Sequence, residues 1–177
     1  MKLHNYQQRA IDFCWSRQSV ILSVGLGLGK TASVLHYLDK VKPASLLIVA
    51  PKRVAEHVWR QEAEKWGLNE LSERLAIVAG TKAKRHKIIQ NNDFLIIGRD
   101  NLADVAGMPF DLLVMDELTS YKNPMSNRTD FICSIKAKQR IGLTGTFLTN
   151  GAMDCFGQFV AVGIGGEMSK KERTAAF

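Results

Sequence analysis

Six short runs rich in Val, Ile and Leu, most of them separated by stretches with helical spacing, constrain this chain more than any single residue does. They are SVILSV (19–24), SLLIVA (45–50), LAIVA (75–79), DFLIIG (93–98), DLLVMD (111–116) and QRIGLTG (139–145). Around them, apolar residues at three- and four-residue intervals predict helices near 5–17, 30–40, 52–66, 82–90, 125–136 and 150–160. Strands that are apolar on both faces and alternate with helices predict an α/β fold, a doubly wound parallel sheet. Ligands on such a sheet bind beyond the carboxyl ends of its strands. Five of these ends carry residues with chemical capacity: Gly25–Thr31, Pro51–Arg53, Gly98–Asn101, Asp116–Glu117 and Gly145–Thr146.

The first of these ends is the most specific. In SVGLGLGKTASVL (23–35), a buried strand runs into Gly25, Gly27, Leu28 and Gly29, and then Lys30 and Thr31 open a helix. Glycines let backbone amides turn inward around an anion, and the helix start adds free N–H groups and a positive dipole end. In this arrangement Lys30 reaches the β and γ phosphates of a nucleotide, and the Thr31 hydroxyl serves a Mg²⁺ ion. A plain Gly-rich turn is the alternative, but strand, glycines, Gly-Lys-Thr and helix arriving in order disfavour it. The usual phosphate-loop pattern has Gly or another small residue where Val24 stands, and the dinucleotide pattern fails because Lys30 and Thr31 follow Gly29 directly.

Asp116 and Glu117 end the fifth apolar run, in LLVMDELTSYKN. A phosphate-bound Mg²⁺ needs a carboxylate at a rigid strand end, which suits Asp116. Hydrolysis also needs a group that orients and deprotonates the attacking water, which suits Glu117. Two acids capping a strand are common in themselves; the Gly-Lys-Thr upstream gives them weight.

Composition sets the outer limits. A chain of 177 residues, 46% hydrophobic and 23% charged, suits one globular domain with a sizeable core. The net charge of +7 favours a polyanionic partner, with nucleic acid before an acidic membrane. Cys14, Cys133 and Cys155 lie far apart without metal-ligand spacing and read as reduced thiols, so a cytoplasmic location is expected. The polar first twenty residues do not read as a signal peptide, and no apolar run approaches a membrane span of roughly 20 residues.

Taken together, the motifs resemble the first RecA-like P-loop NTPase lobe of the superfamily-two helicase-like ATPases, which include the DEAD/DEAH-box proteins. The resemblance is greatest to the Swi/Snf-related branch, and within it to the compact phage-borne members. LHNYQQRAI resembles that family's Leu-x-x-Tyr-Gln stretch, which implies that Gln7 reads the adenine edge. GLGLGKT resembles the MGLGKT loop, and LLIVAPKRVAEHVWRQEAEKW resembles motif Ia, which puts Pro51, Lys52 and Arg53 on the nucleic-acid side. IIGRDNL is similar to a segment that brings Arg99 and Asn101 to the same partner, and MDELTSYKN resembles the DELSSFKN form of the Walker B box. GLTGTFLTNGAMDCFGQF resembles motif III, so Thr144, Gly145 and Thr146 are expected to couple the two ligands.

The resemblance implies ATP and Mg²⁺ as cofactors, nucleic acid as partner (DNA before RNA), and a second RecA-like lobe supplied in cis or in trans. Residues 1–162 are expected to form the ATP-binding lobe, and 163–177, Gly-rich and then charged, a tail or connector. Nothing in these residues resembles the second lobe with its arginine finger, so weak turnover by this chain alone is expected. A non-catalytic nucleotide- or partner-binding module is the other reading. Two departures stand out: Gly25 where relatives often carry an acidic residue, and Phe147 where LTGTP has proline.

Other features stay open or bland. TKAKRHK (81–87) fits a nucleic-acid backbone contact or a solvated helix face equally. Trp59 and Trp66 could stack on bases, but their spacing with Ala55, Val58 and Ala63 favours core packing. AVGIGG (161–166) reads as a loop rather than a second phosphate site.

Overall fold

The computed structural model describes residues 2–146, 152–166 and 168–175. Its strands are β1 (Ser19–Ser23), β2 (Leu46–Ala50), β3 (Ala76–Val78), β4 (Phe94–Gly98), β5 (Pro109–Asp116) and β6 (Lys136–Thr144). They form one six-stranded sheet in the order β1-β6-β5-β2-β4-β3, with every pairing parallel. The helices are α1 (Asn5–Trp15), α2 (Lys30–Val41), α3 (Lys52–Lys65), α4 (Asn69–Arg74), α5 (Lys82–Gln90), α6 (Asn127–Ser134), α7 (Ala152–Val162) and α8 (Lys170–Ala175).

Alternation along the central strands divides the core in two. Leu46, Ile48, Leu112 and Val114 face one cluster, where Ile11 of α1, Val34, Leu35 and Leu38 of α2, and Trp59 of α3 pack. Leu47, Val49, Leu113 and Met115 face the other, with Leu102, Val105, Leu118, Tyr121 and Ile132. Because both faces are covered, the central strands β2 and β4 are apolar throughout, as the doubly wound reading requires.

Some boundaries differ from the sequence expectation. Helix α6 ends at Ser134, not near 136, and β6 begins at Lys136, three residues before the apolar run. The polar stretch Lys136–Gln139 is recruited by its neighbour, with Pro109 opposite Lys136 and Phe110 opposite Ala137. Arg140 therefore sits within β6 rather than opening it. Its guanidinium is buried and donates to the carbonyls of Ile132 and Ala161, both at 3.1 Å, and to that of Ile135. One cation thus ties the α6 end, its cap and α7 to the sheet.

The sequence reading passed over four short elements: α4, α8, and 3₁₀ turns at Arg99–Val105 and Leu118–Tyr121. Helix α8 is opened by Ser169, whose N–H donates to Glu172 Oε2 at 2.7 Å. It is held on α6 by Asp130, which accepts from Lys170 Nζ at 2.7 Å and pairs with Arg173. The Gly163–Gly166 stretch before it is a turn, as expected, with positive φ at Gly163, Gly165 and Gly166.

Helix α7 crosses the 3₁₀ turn that follows the two acids so closely that a Cβ on Gly157 would overlap the carbonyls of Tyr121 and Lys122. Both obstacles are backbone, so neither can rotate away. Gly157→Ala is expected to lower unfolding free energy by about 1–3 kcal/mol, read as a lower urea midpoint.

Candidate nucleotide site and nucleic-acid rim

Strand register brings the site together. Ser23 lies opposite Thr144 and Asp116 opposite Leu143. Ala50 pairs with Gly98, and Val49 with Met115. The loops after β1, β2, β4, β5 and β6 thus leave the sheet along one rim.

In the loop after β1, Gly27 and Gly29 have φ of 76° and 71°, whereas Gly25 is not in the left-handed region. Gly29 caps α2, and a Cβ there would overlap the Gln7 amide, so both the conformation and the space select glycine. Lys30 Nζ donates to Val24 O at 2.8 Å and Gly25 O at 3.2 Å, so its ammonium lies over the loop. The loop after β6 abuts it, since a Cβ on Gly145 would come 3.7 Å from Lys30 Nζ. Thr144 Oγ1 closes that loop, accepting from Thr146 N at 3.2 Å and donating to Thr146 O at 2.9 Å. Phe147, the departure in motif III, lies outside the described residues.

Helix α1 braces the phosphate loop. The Tyr6 hydroxyl donates to Leu28 O at 3.1 Å. Gln7 is 3% exposed; its Oε1 accepts from His4 N at 2.8 Å and its Nε2 donates to Gly29 O at 3.4 Å. A groove of about 340 Å³ opens beside it, lined by Gln7, Leu28 and Gly29, by Glu62 and Lys65 of α3 with its C-cap Trp66, and by Lys2.

Asp116 ends β5 within electrostatic reach of Lys30. Burial raises its pKa above the ordinary carboxylate range, and the neighbouring Glu117 adds to this. The Trp59 indole opposes the rise, with Nε1 donating to Asp116 Oδ2 at 3.1 Å. Trp59 is wholly buried, so the core reading of its sequence stripe was correct, but the polar edge that holds the carboxylate was missed. An aromatic whose ring packs inward still needs a partner for its N–H, and this was the available signal. Glu117 adopts φ 69°, uncommon for a residue with a side chain, and its Oε1 accepts from Thr119 Oγ1 at 2.5 Å.

Hydroxyl and carboxylate oxygens such as those of Thr31, at the start of α2, and Asp116, at the end of β5, suit a hard cation such as Mg²⁺. Among the described residues there is no cluster of three or more His, Cys, Asp or Glu that could hold a metal alone. Such an ion would therefore complete its shell with phosphate oxygens and water.

Along the rim, Lys52, Gly98 and Asn101 line a groove of about 380 Å³, together with Glu56, Gly80, Arg85 and Asp100. Pro51 caps α3, and Arg53 is exposed on its first turn. Arg99 is directed elsewhere, donating to Ser120 Oγ in the loop after Glu117. On α5, Arg85 is committed to Asp104 at 2.5 Å and to Gly80 O at 2.8 Å, while Lys82, Lys84 and Lys87 are exposed. Trp66 is half-buried and edge-on to His36, so neither tryptophan reaches the rim groove.

Residues 6–169 match the SNF2-related domain. The chain belongs to the SNF2-related domain family. Protein p41 of Acyrthosiphon pisum secondary endosymbiont phage 1 is 32% identical over 172 residues, covering 86% of this chain and 37% of that protein. CHROMATIN REMODELING 24 of Arabidopsis thaliana is 26% identical, covering 89% of this chain and 17% of the relative. The Sulfolobus solfataricus SWI2/SNF2 ATPase core, solved in complex with dsDNA, superposes with a TM-score of 0.81 at 23% identity. It covers all of this chain, while the chain covers 39% of it, and it bears out the RecA-like SNF2 fold. The chain thus spans well under half the length of these SNF2-related proteins.

The half-buried, partly desolvated carboxylate at the end of β5 has a measurable consequence. A raised carboxyl pKa favours the neutral form in the fold, so its stabilising contribution is full at low pH and is lost as pH rises through the raised value. Asp116→Asn should therefore raise the melting temperature at neutral pH in metal- and nucleotide-free buffer. The gain should shrink as pH falls towards the ordinary carboxylate range near 4, read from thermal melts across pH.

Proposed function

We propose that this chain is the Mg-ATP-binding lobe of a nucleic-acid-dependent ATPase of the Swi/Snf type. The observation that carries the reading is the joint placement of Lys30, Asp116 and the loop of Thr144–Thr146 on one rim with the groove of Lys52 and Asn101. Residues 1–162 form the working lobe and 163–177 a tail or connector. Three free cysteines suit a cytoplasmic setting, and no helix among the described residues is long and apolar enough to cross a membrane.

In this reading the loop amides of Gly25–Gly29 cradle the phosphates, and Lys30 exchanges its two backbone carbonyls for phosphate oxygens. Thr31 and Asp116 would hold Mg²⁺, which neutralises developing phosphate charge when bound. Glu117, aimed by its left-handed backbone and by Thr119, orients the attacking water and accepts its proton. Pro51–Arg53 and Asn101 face the nucleic acid, DNA before RNA, largely through its backbone. Arg99 reaches the loop after Glu117 through Ser120, which suits communication between the two ligands better than a direct contact. Thr144–Thr146 couple the partners because their turn rests on the phosphate loop.

Removing the Lys30 ammonium deletes a charge-assisted phosphate contact. Lys30→Ala should weaken Mg-ATP binding by about 1.5–3 kcal/mol, roughly 10- to 150-fold in Kd. Equal calorimetric affinities for wild type and variant would refute the assignment.

Catalysis needs one more cation opposite the γ-phosphate. Arg140 is locked among backbone carbonyls and Arg99 is bonded to Ser120, so neither is placed as an arginine finger. Such a group contributes about 10³–10⁵ in rate, and a second RecA-like lobe is its proposed source. The polypeptide of residues 1–177 alone should hydrolyse ATP near background, with turnover restored by a second lobe in cis or in trans. Glu117→Gln should abolish the restored turnover while ATP binding persists. Robust hydrolysis by a verified monomer of these residues would favour a different catalytic arrangement.

A further inference from the structure

The carboxylate at the end of β5 is held from inside the core. Trp59 stands in the middle of α3 with Ala55 and Ala63 one turn to either side, all three buried, in the cluster that includes Ile48 and Val114 of the sheet. From there its indole Nε1–H donates to Asp116 Oδ2 at 3.1 Å. The backbone N–H of Glu117 adds a second neutral donor to the same carboxylate. Trp59 has no exposed surface, and a ring packed on every side cannot follow its partner. The hydrogen bond therefore fixes the acid by the ring, and not the reverse.

The kind of donor matters as much as its position. An indole N–H donates only, carries no charge and offers no lone pair to a metal. It satisfies one carboxylate oxygen and leaves the negative charge unspent. A lysine or arginine in its place would form an ion pair and compete with a cation for the same acid. Lys30, which acts on Asp116 through space, spends its own hydrogen bonds on Val24 O and Gly25 O. The terminal torsion of an aspartate is soft, so an unheld Asp116 would turn its two oxygens freely at the strand end. The indole removes that freedom before any ligand arrives.

Resting on the Mg-ATP reading above, we propose that Trp59 is a positioning residue for the metal: its N–H fixes the plane of the Asp116 carboxylate, so that Mg²⁺ meets an acid already oriented and still charged. Trp59 lines neither the groove beside Gln7 nor the rim groove, and it acts through Asp116 alone. Its effect should therefore fall on metal-bearing nucleotide. The glycine loop and Lys30 hold phosphate with or without a metal, whereas Asp116 serves only the metal. Partners that orient a metal-binding carboxylate typically change metal affinity by about 10- to 100-fold.

The test is calorimetric titration of the full 177-residue chain with ATP in Mg²⁺ and, separately, with ATP in EDTA. The wild-type chain should bind more tightly in Mg²⁺, and the ratio of the two dissociation constants is the readout. Trp59→Phe keeps an aromatic ring in the core and deletes the donor, so the ratio should fall by about tenfold while affinity in EDTA holds. In an Asp116→Ala background the same change should leave the ratio where Asp116→Ala alone puts it, because both act through one contact. Thermal melts show whether Trp59→Phe is folded. Should it not fold, the wild-type chain decides by NMR. The Trp59 indole N–H resonance, assigned with Trp15→Phe and Trp66→Phe, should shift when Mg²⁺ is added to the chain already saturated with metal-free ATP. A folded Trp59→Phe variant with an unchanged ratio overturns the proposal and leaves the Mg-ATP reading standing. So does equal weakening in both buffers, which marks a core defect, and so does an indole resonance indifferent to Mg²⁺. A wild-type chain that binds ATP equally in both buffers overturns the metal assignment, and one that binds no ATP overturns the nucleotide reading; this inference falls with either.

Discussion

Parallel pairing holds the carboxyl ends of β1, β6, β5, β2 and β4 at one level, and the chemistry hangs from that level. Ser23 against Thr144, Asp116 against Leu143 and Ala50 against Gly98 are register pairs of the hydrogen-bonded ladder. A slip of one residue in β5 would turn Asp116 to the opposite face, away from Trp59 and Lys30. Register is in turn enforced by burial on both faces. Leu113 and Val114 of β5 are both fully buried, one in each core cluster, so a slipped strand would have to repack two cores at once. Rim geometry of this kind is a by-product of sheet packing, and the loops only finish it.

Much of this was legible in the sequence because the signals are strong where burial is complete. Strands β2 and β4 are apolar at every position, and their ends were placed to within a residue. The Gly-Lys-Thr loop was legible because glycine at positive φ has few substitutes, and two of its three glycines do adopt that conformation. The start of β6 was not, because Lys136–Gln139 owe their strand conformation to Pro109–Leu112 and carry no apolar pattern. The 3₁₀ turns at Arg99–Val105 and Leu118–Tyr121 were missed for a related reason: each is four to seven residues long and too short for periodicity to register. Side-chain direction was the other gap. Spacing placed Arg99 at the rim, yet nothing in spacing says that it turns to Ser120.

The site also shows local cost held by global packing. Glu117 keeps a left-handed backbone without being glycine, and Asp116 keeps its carboxylate in surroundings that disfavour charge. Either would relax in isolation. They are kept in place by Leu118 and Tyr121, both buried immediately after them, and by α7 lying against the Tyr121 and Lys122 carbonyls. Gly142 of β6 contributes too, since any Cβ there would collide with Leu118. The turn after the acids is thus clamped from the sheet on one side and from a helix on the other, which fixes the direction of both carboxylates.

Helix α3 gathers these threads into one rigid body. Its first residue, Lys52, lines the rim groove; Trp59, in its middle, holds Asp116; and Glu62, near its end, faces the groove beside Gln7. Fourteen helical residues make a rod of about 21 Å. Ala55, Trp59 and Ala63 form its wholly packed stripe, so the rod cannot bend locally without opening the core. Lys52, the Trp59 contact with Asp116 and Glu62 therefore lie on one packed element. Coupling between sites is reciprocal by thermodynamic necessity. A stiff element that spans two grooves is the physical requirement for sites at its two ends to be linked, and α3 meets it, with one buried indole as its point of contact with Asp116.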